Sequence, residues 1–178
     1  MDDDDSDRGM GTPSPSPNQL CTVARLVLTD RTGSLSAEQT HWLRTQFCRA
    51  AEVLGVGGEL RAAVLADDEM AEAHRVWTGI DGPTDVLTSD LADGAAASTR
   101  EIDADVLLGL DEAARRGAEL GHPLEQELLL YLVHALLHCL GHDDLEAEAW
   151  AKMHAEEDRV LRAIGVGATF ARSTEARS

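Results

Sequence analysis

Residues 124–144 read LEQELLLYLVHALLHCLGHDD and decide most of what can be inferred about this chain. Pro123 stands where a helix can begin, and apolar residues recur from Leu124 to Leu140. Gly141 then stops the helix, because glycine tolerates a positive φ just after a helix end. The stretch therefore predicts a helix whose last turns, and the bend that follows them, carry histidines and aspartates.

Strands and helices alternate on both sides of this helix. Short runs rich in Val, Leu and Thr predict strands, and apolar residues at helical spacing predict further helices. The predicted strands are Cys21–Leu28, Glu59–Leu65, Thr84–Thr88 and Ile102–Leu108, and the other helices are Ser36–Leu54 (capped by Ser34 or Ser36), Asp67–Val76, Asp111–Leu120 and Leu145–Ile164. Residues 89–98 are small and polar and predict a mobile loop. Four strands and about five helices indicate a small mixed α/β or α+β domain.

The predicted domain covers residues 20–166. Residues 1–19 combine an aspartate run with alternating Ser and Pro, a composition that buries little surface and predicts a disordered tail. Residues 167–178 form a second predicted tail. A chain of 178 residues suits one domain with two tails.

The composition favours a cytoplasmic location. The three cysteines, Cys21, Cys48 and Cys139, are odd in number and have no repeated spacing, which predicts free thiols in a reducing compartment. The first residues are acidic where a signal peptide needs positive charge. The longest apolar run, Leu128–Val133, is too short to span a bilayer, so no membrane association is expected.

The net charge of −18 counts against general binding of nucleic acid, since an acidic protein repels a polyanion at long range. It leaves room for a local cationic groove that contains a metal ion. A solubilising surface, or an arginine-rich codon bias, is the simpler explanation of the composition.

His134 and His138 are four residues apart, so both imidazoles lie on one face of the predicted helix. Imidazole nitrogens bind zinc at roughly 2.0–2.1 Å. Asp144 lies three residues beyond Gly141 and can supply a carboxylate oxygen once the chain turns back. Three protein ligands leave a fourth position for water, which is typical of a hydrolytic zinc site. We therefore expect His134, His138 and Asp144 to act in catalysis through the metal-bound water.

His142 is an alternative third ligand. Asp143 is a candidate to accept a hydrogen bond from a ligating residue and so to orient it. The spacing of the motif is that of the metzincin proteases, in which the residue three past the glycine completes the site. Zinc proteases also need a general-base glutamate directly after the first histidine. That position is Ala135 here, which argues against peptide hydrolysis.

Two blocks of this sequence resemble the YbeY family. The family's metal motif, His-Gly-x-Leu-His-Leu-x-Gly-Tyr-Asp-His, is matched at His134, Leu137, His138, Gly141 and Asp143. A second motif, Tyr-Arg-Gly-x-Asp-x-Pro-Thr-Asp-Val-Leu-Ser, is matched at Gly79, Asp81, Pro83, Thr84, Asp85, Val86 and Leu87. Order and spacing hold from about residue 20 to residue 165.

The resemblance implies an α+β fold with a mixed four-stranded sheet and one Zn²⁺ per chain, or another divalent transition metal. It also implies a single-strand-specific endoribonuclease in 16S rRNA 3′-end maturation and small-subunit quality control. The implied partners are 16S pre-rRNA, the small ribosomal subunit, a small-subunit ribosomal protein and an assembly GTPase.

This chain departs from the family pattern at the site. Asp144 replaces the third histidine of the family motif, and His142 replaces its tyrosine. Thr78 replaces an arginine that would suit a phosphate. Arg75, one helical turn earlier, is a candidate substitute, and Trp77 is a candidate for stacking on a base or for core packing.

Thr84 and Asp85 are candidates for substrate binding, with a purely structural role in a strand as the alternative. Two functions therefore remain open for the chain. One is a metal-dependent endoribonuclease acting on rRNA. The other is a catalytically weak, metal-binding ribosome-assembly factor of the same fold, which Thr78 and the acidic charge favour.

Overall fold

The computed structural model describes residues 23–167 and places ten elements in them. The strands are β1 (Arg25–Asp30), β2 (Gly57–Leu65), β3 (Val86–Asp90) and β4 (Glu101–Gly109). The helices are α1 (Ala37–Leu54), α2 (Asp67–Thr78), α3 (Ala96–Thr99), α4 (Leu110–Leu120), α5 (Leu124–Cys139) and α6 (Ala147–Ala163). This is the expected α+β fold. The two predicted tails, apart from residue 167, and the predicted strand start at Cys21 lie outside the described residues.

The sheet is mixed and has the strand order β1-β2-β4-β3. β1, β2 and β4 are parallel, whereas β3 runs antiparallel to β4 at one edge. Short connections join β1, α1 and β2 as a parallel crossover unit, as such strands require. β3 is therefore an edge strand beside β4. Both strands contact α5, the helix that carries the histidine pair.

The two faces of the sheet differ in what covers them. Alternate residues of β2 and β4, such as Leu60, Val64 and Val106, are buried in the main core with α1, α5 and α6. On the opposite face, Met70 of α2 forms a small second core with Leu65 and other residues. The rest of that face is mostly polar, although Val27 of β1 is exposed on it. The main core thus fixes α5 against the sheet.

α5 is buried on almost every side and packs against α1, α4, α6, β3 and β4. Leu128, Leu132 and Leu136 are fully buried. Burying side chains of this size stabilises a fold by roughly 1.5–3 kcal/mol each. The helix that carries both histidines is therefore the most firmly held element near the site.

The structure corrects several details of the predicted elements. The first strand begins at Arg25, after Val23 and Ala24, and continues to Asp30, two residues beyond the predicted end at Leu28. Residues 89–98 are not one irregular loop, because β3 continues to Asp90 and α3 begins at Ala96. α3 raises the number of described helices to six. β3 also begins at Val86, two residues later than predicted. Asp90 accepts hydrogen bonds from the backbone N–H groups of Ala92 and Gly94, which turns the chain directly after the strand.

The start of α1 agrees with the predicted cap. The Ser36 hydroxyl accepts from the backbone N–H of Gln39, and the Gln39 side chain accepts from the N–H of Ser36. This reciprocal pair is a capping box. Among the described residues, no helix is both long and apolar enough to cross a bilayer.

Candidate metal centre

The last two turns of α5 bring the two predicted imidazoles together. His134 Nε2 and His138 Nε2 lie 2.9 Å apart, and the rings are nearly perpendicular at 83°. Spacing of four residues on a helix produces this contact directly. Both side chains are only partly exposed, because α5 is buried around them.

The turn after α5 brings the carboxylate back to the imidazoles. Gly141 has φ 88°, and its N–H donates to the His138 carbonyl at 2.9 Å. The next N–H, that of His142, reaches the Leu137 carbonyl at 3.0 Å, which completes a Schellman motif. Asp144 then lies with Oδ2 3.7 Å from His134 Nε2 and Oδ1 3.8 Å from His138 Nε2.

The outer nitrogen of each imidazole has its own acceptor. His138 Nδ1 lies 3.1 Å from the His142 carbonyl oxygen, which can only accept. His134 Nδ1 lies 2.7 Å from Glu157 Oε1 on α6. Both Nδ1 atoms therefore donate, and in the neutral form of each ring the Nε2 lone pair faces the shared space beside Asp144. This tautomer is the one that a metal ligand needs.

Glu157 links two histidines. Its Oε2 atom lies 2.6 Å from His154 Nδ1, while Oε1 binds His134. The side chain is 1% exposed. Burial alone would raise the pKa of Glu157, but the hydrogen bonds from His134 and His154 outweigh it and lower that pKa. The buried Glu157 carboxylate therefore stays ionised next to Nδ1 of His134.

The two imidazoles differ in proton affinity. Burial would lower the pKa of His134, but the hydrogen bond and charge of Glu157 raise it above the ordinary value. Burial and the neighbouring His134 lower the pKa of His138. His138 therefore presents the neutral imidazole that binds metals, and a metal would displace the proton that Glu157 favours on His134.

The three donor atoms fit a divalent transition metal. The ligating atoms of His134, His138 and Asp144 all lie within 4.8 Å of one another, and this is the one such group among residues 23–167. Zinc bonds of about 2.0–2.1 Å at tetrahedral angles separate neighbouring ligand atoms by roughly 3.3 Å. The two Nε2 atoms are 2.9 Å apart, and each of them has a different Asp144 oxygen nearby, at 3.7 Å from His134 and 3.8 Å from His138, so the separations lie on both sides of that value. Two nitrogens and one carboxylate oxygen are a catalytic type of zinc ligand set.

The histidine pair lies between two cavities. The larger, of about 460 Å³, contains the triad together with Glu157 and extends along α5 to Glu127. The smaller, of about 310 Å³, follows β3 and is bounded by His134 and His138 as well. In the larger cavity burial raises the pKa of Glu127 to about 7, although the charge of Arg116 lowers it. The site is thus accessible from two directions.

A family model described as "Endoribonuclease YbeY" matches residues 29–165, which is most of the chain. The chain belongs to the YbeY family. Curated YbeY endoribonucleases are its relatives. One from Halorhodospira halophila is 36% identical over 127 residues, covering 70% of this chain and 80% of the relative. One from Lysinibacillus sphaericus is 30% identical over 148 residues, covering 78% of this chain and 94% of the relative.

A solved structure has the same fold. The solution structure of TM1509 from Thermotoga maritima aligns with a TM-score of 0.54 and 22% sequence identity. The alignment covers 87% of this chain and 95% of TM1509. The four-stranded sheet and surrounding helices of this YbeY chain are therefore an architecture already observed experimentally.

The structure places Asp85 and Val86, near the end of the second YbeY motif, at the edge of the larger cavity. Asp85 lines that cavity, and its Oδ1 atom accepts from the Thr84 hydroxyl at 3.0 Å and from the Val86 N–H at 2.8 Å. The Asp85 carbonyl accepts from Gly109 N–H at 2.7 Å. Thr84 does not line the cavity itself, but its hydroxyl contacts Asp85, which does. Substrate binding by the two residues stays a prediction.

Arg75, Trp77 and Thr78 lie at the end of α2 and line neither cavity at the triad. Arg75 is held by Glu72 at 2.6 Å. Trp77 is 44% exposed and lines a separate cavity on the other face of the sheet. Thr78 donates its hydroxyl to the His74 carbonyl. The structure thus does not bring Arg75 or Trp77 to the triad, and their proposed roles stay predictions.

His142 contributes its backbone to the site. Its carbonyl fixes the His138 ring, whereas the group of closely spaced ligand atoms contains Asp144 and not the His142 imidazole. Asp143 supports the same turn, since its Oδ1 atom accepts from the N–H groups of Asp144 and Leu145.

Sequence reasoning missed Glu157 and the charged residues of the larger cavity, Arg116 and Glu127. The signal for Glu157 was its position among Met153, Val160 and Leu161 on the apolar side of α6. A charged residue in such a stripe needs a polar partner. Of its two partners, His154 is three residues away on the same helix, but His134 is 23 residues away and cannot be named from spacing.

Proposed function

We propose that this protein is a metal-dependent endoribonuclease that cleaves single-stranded RNA. The observation that carries the proposal is the open triad of His134, His138 and Asp144 in a chain of the YbeY family. The curated relatives are named endoribonucleases. Zinc, or a similar divalent metal, is the cofactor that this donor set suits best.

A divalent metal at the triad would supply Lewis-acid activation for phosphodiester hydrolysis. The protein's own residues supply the orientation that this chemistry needs. The His142 carbonyl and Glu157 hold the two imidazoles in the tautomer that exposes Nε2. The Schellman turn at Gly141 holds Asp144 on the third side.

The form of the site supports a polymeric substrate. Space lies on both sides of the histidine pair, towards Glu127 in one direction and along β3 in the other. A strand can therefore pass across the triad with both ends continuing into solvent. We infer a single-stranded rather than a duplex RNA substrate from the family resemblance.

Peptide hydrolysis fits the structure poorly. Ala135, which occupies the position of the zinc-protease glutamate, is fully buried in α5. It offers neither a proton acceptor nor access to the cavity. Glu127 is seven residues before His134 and belongs to the other end of the cavity.

The finer role that we propose is 16S rRNA 3′-end maturation and small-subunit quality control in the cytoplasm. The proposed partners are 16S pre-rRNA in the small subunit, a small-subunit ribosomal protein and an assembly GTPase. This part of the proposal rests on the family resemblance.

The function is tested with end-labelled RNA of defined sequence, either alone or annealed to its complement. We expect the purified protein with one equivalent of Zn²⁺ to cleave the single strand internally and the duplex much more slowly. Gel analysis of fragment lengths distinguishes internal cutting from trimming at the ends. Equal cleavage of both substrates, or no cleavage at all, contradicts the proposal.

A catalytically weak assembly factor is the alternative function, and Thr78 is the observation that favours it. Thr78 is exposed, turns its hydroxyl towards its own helix, and lines neither cavity at the triad. If the enzyme is complete without the family arginine, Thr78→Arg should change the cleavage rate by less than about threefold, which is below 1 kcal/mol. The rate constant for cleavage of the single strand measures this.

Thr45→Arg is the matched control for that variant. Thr45 is also exposed on a helix and donates its hydroxyl to the carbonyl four residues earlier, that of His41. The Thr45→Arg substitution adds the same charge on α1 instead of α2. A rise of tenfold or more with Thr78→Arg, but not with Thr45→Arg, would show that a phosphate contact is missing and would favour the assembly factor.

A further inference from the structure

Arg116 is the one lysine or arginine side chain that lines the larger cavity in the described part of the chain. The carboxylates of Asp85, Glu127, Asp144 and Glu157 line the same cavity. In a protein with a net charge of −18, an RNA strand meets few favourable charges before it reaches the triad. A single guanidinium inside the cavity is therefore the natural contact for a phosphate.

The position of Arg116 follows from how α4 packs beside α5. Glu127, Tyr131, His134 and His138 recur at spacings of four, three and four residues, so they line one face of α5. The charge of Arg116 acts on Glu127, whose pKa it lowers. Glu127 and His134 are seven residues apart, which is about 10 Å along the helix axis. Arg116 thus lies towards the end of the cavity away from the triad.

The guanidinium of Arg116 is loosely held. Its partner is Glu119, with Nη1 to Oε2 at 3.4 Å, and both side chains are exposed. A surface ion pair of this kind contributes little to stability. Hydrogen bonds between a guanidinium and a phosphate are stronger, and they are often bidentate. Arg116 can therefore exchange Glu119 for a phosphate at little cost.

The neighbouring Arg115 shows the contrasting arrangement. Its Nη2 atom lies 2.6 Å from Glu112, and its Nη1 atom lies 2.9 Å from Asp67. It does not line the cavity. The two arginines are on the same helix and are similarly exposed. Only Arg116 lines the cavity in which a substrate would reach the triad.

We propose that Arg116 binds a phosphate of the RNA strand that flanks the scissile phosphodiester and so positions the strand over the triad. This inference rests on the proposed endoribonuclease function. Arg116 is a binding and positioning residue, since the reacting phosphodiester lies at the triad. It also supplies the phosphate contact that neither Thr78 nor Arg75 offers at this cavity.

The test measures RNA binding in the absence of cleavage. Fluorescence anisotropy with a labelled single-stranded RNA in excess chelator gives the Kd and its dependence on salt. We expect Arg116→Ala to weaken binding about tenfold, as for loss of a charged hydrogen bond of about 1.5 kcal/mol. The slope of log K against log salt should fall by about 0.7, the value for one phosphate contact on a single strand.

Two further variants separate charge at Arg116 from effects on folding. Arg116→Lys keeps the charge and should recover part of the affinity and most of the salt slope. Arg115→Ala removes an equal charge one residue away and should leave both close to wild type. With Zn²⁺ restored, Arg116→Ala should raise KM for cleavage more than it lowers kcat.

The outcomes distinguish this inference from the function on which it rests. If the wild-type protein binds and cleaves the RNA and Arg116→Ala matches it in Kd and salt slope, the inference is wrong and the function stands. If Arg115→Ala weakens binding as much as Arg116→Ala, the specific contact is also refuted. If the wild-type protein neither binds nor cleaves single-stranded RNA, both proposals fail.

Discussion

Replacing His138 with alanine is expected to reduce cleavage of single-stranded RNA by about 100-fold or more and to prevent retention of one metal per chain. The Nε2 atom of His138 is a central ligand atom of the triad, 2.9 Å from His134 Nε2 and 3.8 Å from Asp144 Oδ1. Its loss leaves two ligands. Lewis-acid activation is worth several kcal/mol, and each 1.4 kcal/mol is tenfold in rate.

The measurements are metal content of the protein after gel filtration and the single-turnover cleavage rate. Excess chelator should reproduce the variant's loss of activity in the wild-type protein, and added Zn²⁺ should restore only the wild type. Cleavage that survives both the chelator and His138→Ala would refute a metal mechanism, and the triad would then need another role.

His142→Ala is the matched control, because it also tests the alternative third ligand. His142 acts through its backbone carbonyl, which an alanine retains, so the His138 ring keeps its hydrogen bond. We expect this variant to keep metal affinity within about threefold, a change below 1 kcal/mol. A loss as large as that of His138→Ala would make the His142 imidazole a ligand and would contradict the arrangement with Asp144.

The metal triad could be predicted from the sequence because its geometry is local. Two imidazoles four residues apart on a helix meet whatever surrounds the helix. Gly141 has the positive φ that the prediction required, and the turn that follows returns Asp144 to the pair. Eleven residues, His134 to Asp144, therefore contain the whole ligand set.

The supporting residues could not be predicted, because tertiary packing selects them. Glu157 comes from α6 and Arg116 from α4, and both meet the cavity only because these helices pack beside α5. The sequence marks such residues as unusual without naming their partners.

The bounds of β3 were predicted wrongly for a related reason. Ser89 and Asp90 have low strand propensity, and their pairing with Asp105 and Ala104 of β4 overrides it.

Replacing Glu157 with glutamine is expected to weaken metal binding about 10- to 100-fold, the usual range for the loss of a carboxylate behind a ligating histidine. The carboxylate accepts from His134 and His154 at 2.7 and 2.6 Å. Glutamine has nearly the same shape but only one acceptor oxygen, and its NH₂ group can only donate. One imidazole N–H therefore loses its acceptor, and the negative charge that increases the basicity of His134 is lost.

Competition with a chromophoric chelator measures this affinity, and thermal unfolding of the metal-free protein reports on folding separately. Asp158→Asn is the matched control, since Asp158 is the next residue, is also buried, and forms an ion pair with Arg162 at 3.2 Å. It should affect unfolding without changing metal affinity. If Glu157→Gln also left the affinity unchanged, the carboxylate would be a structural bridge between α5 and α6. The orientation of the His134 ring would then come from α5 alone.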